Sequence, residues 1–309
     1  MREIPFTVAR GFVMGSADLV PGVSGGTVAL VFGIYQRLID AIRTGSRAIG
    51  HLLKGDVAGF VERLRAVEWR FLLPLVAGIL TAVVTLSGLI EHLLENHPVP
   101  TSGAFMGLVA GSVIVAWQLL ETRDGRRLGT LLAVAGATFA LLGLREGTSE
   151  STVGQADDAH LLAFFGGGAV AICAMILPGI SGSFLLVTMG LYGPVLAAVN
   201  GRDVVQLVVF ALGCVVGLGL FSQVLHWALA NHYDTVMAAL IGLMLGSVRV
   251  VWPWPAGVDS TAIDAPSDPV WSTLLLALGG VVVVLAFNVI GTRFEHRSAH
   301  DEAAEIRSV

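Results

Sequence analysis

Two short segments hold the residues of this sequence best suited to chemistry. Residues 19–35 read LVPGVSGGTVALVFGIY and residues 176–192 read ILPGISGSFLLVTMGLY, and they align without a gap. Each carries a Pro-Gly-x-Ser-Gly motif: Pro21, Gly22, Ser24 and Gly25 in the first, Pro178, Gly179, Ser181 and Gly182 in the second. Gly26 and Thr27 extend the first motif and Ser183 extends the second. Proline drops out of a helix ladder and pushes the residue before it from the α region, while glycine permits a tight turn. A helix that restarts after such a break has backbone N–H groups without intrahelical partners, at the positive end of its dipole. The chemistry on offer is recognition of an anion such as phosphate, by amides and hydroxyls rather than by a fixed cation. Serine and threonine are also ordinary N-caps, and small residues pack membrane helices closely, so either motif alone has a structural explanation. Their symmetric duplication favours a binding role.

Asp18 lies about one turn before Pro21. A carboxylate within an apolar stretch is costly and marks a functional position. Two roles are open to it: binding a coupling proton, or capping N–H groups freed at the break. Its counterpart in the second segment is Met175, so the duplication does not demand a carboxylate there.

The elements that must position these segments follow from composition. Of 309 residues, 55% are hydrophobic and 13% charged, against about 25% charged in soluble domains; mean hydropathy is +0.80. Such a chain cannot clothe a water-facing surface, so lipid is its solvent. The N-terminus does not read as a cleavable signal: Asp18 and Pro21 interrupt the apolar run, and no small-x-small site follows. Spans are expected at 71–93, 101–120 and 128–145, and again at 206–229, 234–252 and 271–292. A second duplicated block, 96–117 and 231–252, pairs Asn96-His97 with Asn231-His232, Gly107 with Gly242, Gly111 with Gly246 and Trp117 with Trp252.

The apolar pieces flanking each Pro-Gly are short for a span. They suit re-entrant hairpins at 11–42 and 161–200 better than pairs of kinked full-length helices. The expected fold is an all-α integral membrane protein of two repeats, 1–147 and 148–292, each a re-entrant helical hairpin plus three transmembrane helices, with a tail at 293–309. Three crossings is an odd number, so the repeats have inverted topology and their hairpins meet at mid-membrane, as in secondary transporters.

Charge sets the orientation. Arg2, Arg10, the basic segment from Arg43 to Arg70, Arg123, Arg126, Arg127 and Arg293 fall on one side, while Glu91, Glu95, Glu146, Glu150, Asp157, Asp158, Asp264 and Asp268 fall on the other. By the positive-inside rule both termini are cytoplasmic. The 43–70 stretch reads as an amphipathic surface segment with affinity for anionic lipid. Cys173 and Cys214 are apolar packers without metal-ligand spacing. Gln118, Gln223 and Asn288 suit hydrogen bonds between helices, and the repeated Asn-His pairs suit turns and caps. No metal, cofactor or nucleic-acid motif is present. A lipid phosphatase is disfavoured, because the helices carry no His-Arg-Asp cluster for a phosphoenzyme and no His-Glu metal motif.

ADLVPGVSGGTVAL at 17–30, followed by ILPGISGSFLLVTMGLY at 176–192, resembles the bacterial undecaprenyl-phosphate (polyprenyl-phosphate) translocase family, formerly catalogued as domain of unknown function 368. The resemblance covers nearly the whole chain, and the motif positions and Asp18 match. It implies a transporter rather than an enzyme, sited in the bacterial cytoplasmic membrane. It also implies the cargo: undecaprenyl phosphate, returned from the outer to the cytoplasmic leaflet for lipid-carrier recycling in cell-envelope synthesis. Read from the residues alone, a transporter or channel for a small soluble anion stays open.

Overall fold

The computed structural model describes residues 3–19, 24–143, 160–180 and 182–307. Pro21, Gly22 and Ser181 lie outside the described residues, as do Arg145, Glu146, Glu150, Asp157 and Asp158. The helices are α1 (Glu3–Asp18), α2 (Gly25–Val31), α3 (Tyr35–Leu53), α4 (Val57–Arg65), α5 (Trp69–Asn96), α6 (Pro98–Gln118), α7 (Gly125–Gly143), α8 (Leu161–Ile176), α9 (Gly182–Thr188), α10 (Tyr192–Gly201), α11 (Val204–Ser247) and α12 (Val270–Arg307). Five of them, α5, α6, α7, α11 and the Val270–Val289 part of α12, are long and apolar enough to cross a bilayer. Their large apolar side chains face outward in quantity: Val84 and Trp271 are each 80% exposed. Water would not tolerate such a surface and lipid requires it, so this is a multi-pass membrane protein.

The spans expected at 71–93, 101–120, 128–145 and 271–292 correspond to α5, α6, α7 and the first part of α12. Those expected at 206–229 and 234–252 correspond to the two limbs of α11, a 44-residue run that is two helices in succession. It is broken by His232 (φ −139, ψ 42). The break between α5 and α6 falls at His97 with nearly the same backbone angles (φ −140, ψ 52). The preceding Asn96 and Asn231 each donate a side-chain N–H to a carbonyl four residues back, on His92 and Trp227. The residue after the break is Pro98 in the first case, which has no N–H to donate, and Tyr233 in the second. The 43–70 segment is mostly helical, formed by the end of α3 and by α4, which buries no residue. The tail continues α12 to Arg307.

α2 and α9 also end alike. Gly33 (φ 66) and Gly190 (φ 70) take the left-handed conformation. Gly33 and Ile34 donate back to Leu30 and Ala29, and Gly190 and Leu191 to Val187 and Leu186, the Schellman pattern in both. A Cβ at either glycine meets nothing within 4 Å, so alanine there costs only backbone strain, about 1 kcal/mol. Gly33→Ala and Gly190→Ala should therefore lower the thermal midpoint in detergent by similar small amounts, with membrane insertion intact. A large loss from one and none from the other would contradict a shared turn.

Glycine seams hold the long helices together. α1 runs in the same direction as α5, with Gly11 against Leu75 and Gly15 against Ile79 and Ala82, so Asp18 stops near the level of the middle of α5. α8 runs likewise beside α11, with Gly213 against Phe165 and Gly217 against Ala169. α6 lies parallel to α12, Gly107 against Ala277 and Gly111 against Val281. Their duplicated counterparts do the same: Gly242 packs on Leu131 and Gly246 on Ala135 and Thr138, setting the second limb of α11 against α7. Without Cβ atoms the backbones approach closely, which stands in for the hydrophobic drive that lipid removes. One buried core, from Met14, Leu30, Phe71 and Leu131 to Ile176, Ile241 and Met244, joins the two halves of the chain.

Candidate functional site

The two motif segments meet inside the bundle. The Ser24 hydroxyl accepts from the Gly26 N–H (3.1 Å) and donates to the Met175 carbonyl (3.0 Å). The Tyr35 hydroxyl, just past the Gly33 turn, donates to the Ile176 carbonyl (3.2 Å). Both carbonyls belong to the last turn of α8, where Pro178 prevents continuation and leaves acceptors without intrahelical partners. Hydroxyls from one half thus complete the broken helix of the other. The approach is tight: a Cβ on Gly26 would stand 2.5 Å from the Ile176 carbonyl oxygen. Ser24, Gly25, Gly26 and Thr27 are buried, as are Pro178, Gly179 and Gly182.

The first amides of α2, expected to be open, are taken in this conformation. Gly25 N–H is bound by Asp18 Oδ1 at 2.6 Å, Gly26 N–H by the Ser24 hydroxyl, and Thr27 N–H by the Ser24 carbonyl at 2.8 Å. The reason is that the Asp18 side chain reaches across the break to the restarting helix. Of the two roles open to Asp18, the carboxylate here occupies the capping one. Asp18 remains exposed, so the anion resting on α2 is within reach of a competitor.

The second segment differs at the same place. A Cβ on Gly182 would lie 2.7 Å from Cγ of Met175, so an apolar side chain covers Gly182 where a carboxylate covers Gly25. Gly179 presses on the backbone of Leu243 and Met244 in the second limb of α11, with about 2.9 Å for an added Cβ. Ser181 and the side chain of Ser183 are outside the described residues. Tyr35 was not among the residues singled out by sequence; the available signal was its recurrence as Tyr192.

Residues 14–267, which include both motif segments and their contact, match the family described as VCA0040-like, undecaprenyl phosphate translocase-like. The chain belongs to this family. Within the translocase-like family it is 41% identical over 249 residues to a Vibrio cholerae protein named polyprenyl-phosphate transporter, covering 80% of this chain and 77% of that one. It is 32% identical over 258 residues to a Staphylococcus aureus protein of the same name, covering 80% and 85%. No solved structure matches the chain.

Proposed function

We propose that this protein moves undecaprenyl phosphate, or a closely similar polyprenyl phosphate, from the outer to the cytoplasmic leaflet of the bacterial inner membrane. The names of its relatives supply the cargo class. The observation that carries the reading is the junction of the two motif segments through Ser24, Tyr35 and the α8 carbonyls. A phosphomonoester bears about −1.5 to −2 charges near neutrality, which hydrocarbon alone will not admit. A polar junction at mid-depth gives the headgroup a resting place while the tail stays in lipid. The proposed contacts are Pro21, Gly22, Ser24, Gly25, Gly26 and Thr27, with Pro178, Gly179, Ser181, Gly182 and Ser183. Asp18 holds the Gly25 N–H until phosphate displaces it.

The same reading takes α1–α3 and α8–α10 as re-entrant hairpins in inverted repeats. In support, α1 ends level with the middle of α5, while Arg37 on α3 returns to Glu68 and Phe71 at the start of α5. For inversion, the end of α6 and the start of its counterpart, the second limb of α11, come together: Asp234 accepts from the N–H groups of Glu121 and Thr122. The basic side, with both termini, then faces the cytoplasm.

Purified protein in liposomes should move labelled polyprenyl phosphate between leaflets, read by a leaflet-selective reagent, and should leave inorganic phosphate untransported. Flux of inorganic phosphate instead would favour the soluble-anion reading, and release of phosphate from the lipid would indicate an enzyme.

A further inference from the structure

α3 and the first limb of α11 cross along a polar seam that the motif junction does not use. On α3, Gln36, Asp40 and Arg43 recur at helical spacing. On α11, Ser222, Gln223 and His226 do the same, with the Ser222 and Gln223 side chains bonded to the Gly219 carbonyl. Ser46 packs at the other end of the seam, where a Cβ on Gly219 would lie 3.0 Å from its own Cβ. At its centre His226 Nδ1 meets Asp40 Oδ1 at 2.5 Å. The pair borders a cavity of about 120 Å³, also lined by Gln36, Ile39, Leu229 and Ala230. That is several water molecules' worth of room, and Asp40 is 55% exposed by its side chain.

We propose that Asp40 and His226 form the proton-binding site through which lipid movement is coupled to the proton gradient. This rests on the reading of the chain as a polyprenyl-phosphate transporter. Three features fit. The pair joins an element of the first half to an element of the second, so its strength bears on any movement between them. With both ring nitrogens protonated the contact joins opposite charges, and loss of one proton to water leaves a neutral ring against the carboxylate, so the attraction between full charges is lost. An imidazole can hold one proton or two, and the cavity gives water a place from which to deliver and remove the second.

The surrounding charges leave the pair in command of the seam. Gln36, Ile39, Leu229 and Ala230 are uncharged, and α2, α6, α8 and α10 bring no acidic, basic or histidine side chain. Arg37 is engaged by Glu68, Asp56 on the flank of α4 by His51, and Asp124 before α7 by Arg127. Glu62, Arg63 and Arg65 lie on α4, which buries nothing. On α11 itself, His232 packs edge-on to Trp227 and Asp234 accepts the Glu121 and Thr122 N–H groups. Arg43, one turn beyond Asp40 on the same helix, has a buried Nε without a hydrogen-bond partner.

The test uses the full chain in liposomes with labelled polyprenyl phosphate and the membrane potential clamped. With one proton moved per lipid, a one-unit pH gradient should shift the steady-state leaflet ratio about tenfold. His226→Gln and Asp40→Asn should each still equilibrate lipid, with a leaflet ratio near one under the same gradient. A single variant that keeps the full tenfold shift overturns the proposal. Should neither variant insert, the conservative Asp40→Glu takes their place: a leaflet ratio changed from wild type under the gradient supports the site and an unchanged one refutes it, while lipid flux in wild-type liposomes without proton movement onto a trapped pH dye refutes coupling outright. No lipid movement by the wild type would sink the transporter reading itself, a different outcome from uncoupled movement.

Discussion

Gly26→Val is expected to reduce lipid transport by about a hundredfold, a barrier increase of about 2.7 kcal/mol, with the protein still present in the membrane. Gly26 faces the Ile176 carbonyl, where even a Cβ would come within 2.5 Å of the oxygen. The oxygen has little freedom to yield. It accepts from Tyr35, and its helix is pinned along α11, where Gly213 and Gly217 already bring backbone to backbone. The strain therefore falls on α2, which has only seven residues, and displaces the Ser24 and Gly25 groups at the junction. Overpacking of this kind costs about 1–3 kcal/mol, large for a local junction yet small beside the long glycine seams elsewhere. Gly88→Val is the matching control, since nothing lies within 4 Å of a Cβ there. Leaflet exchange by Gly26→Val at wild-type rate would show that the junction is not on the headgroup's route.

Asp18→Ala should cut transport by at least about tenfold and also change how the protein responds to its cargo. Losing an N-cap costs about 1 kcal/mol, and a buried N–H left unmatched costs about 1–3 kcal/mol. The empty protein should therefore melt earlier. Lipid phosphate can then occupy the vacated Gly25 amide without evicting a carboxylate, so polyprenyl phosphate should raise the melting temperature more in Asp18→Ala than in the wild type. Asp18→Asn keeps an acceptor for the Gly25 N–H and should recover the unliganded stability while still differing in the lipid response. Thermal shift in detergent with and without lipid separates these effects. An equal lipid-induced shift in all three proteins would reduce Asp18 to a simple cap.

Much of this organisation was legible from residue order. The duplicated Pro-Gly and Asn-His blocks located the helix breaks, because proline and glycine act locally wherever the chain later packs. The apolar runs located the long helices for the same reason. What escaped was whatever depends on a partner distant in sequence. Asp18 was visible as an anomaly, but its hold on Gly25 required knowing how the chain turns between them. Tyr35 stood in the sequence only as the repeat-mate of Tyr192, and its hydroxyl's partner is a carbonyl of α8, 141 positions away. The Asp40–His226 contact spans 186 positions and leaves no local trace. The kink at His232 was legible because Asn231-His232 copies the Asn96-His97 pair that separates α5 from α6.

The exchanged pairing of α6 with α12 and of α7 with α11 has a consequence for biosynthesis. The first half emerges from the ribosome with the glycine face of α6 and the receiving face of α7 both unmatched, and they stay so until the final two long helices arrive. Neither half is then a self-sufficient folding unit, and α12, made last, closes the structure. Chains halted before Val270 should be recognised by quality-control proteases as unfinished, although their earlier helices have already inserted.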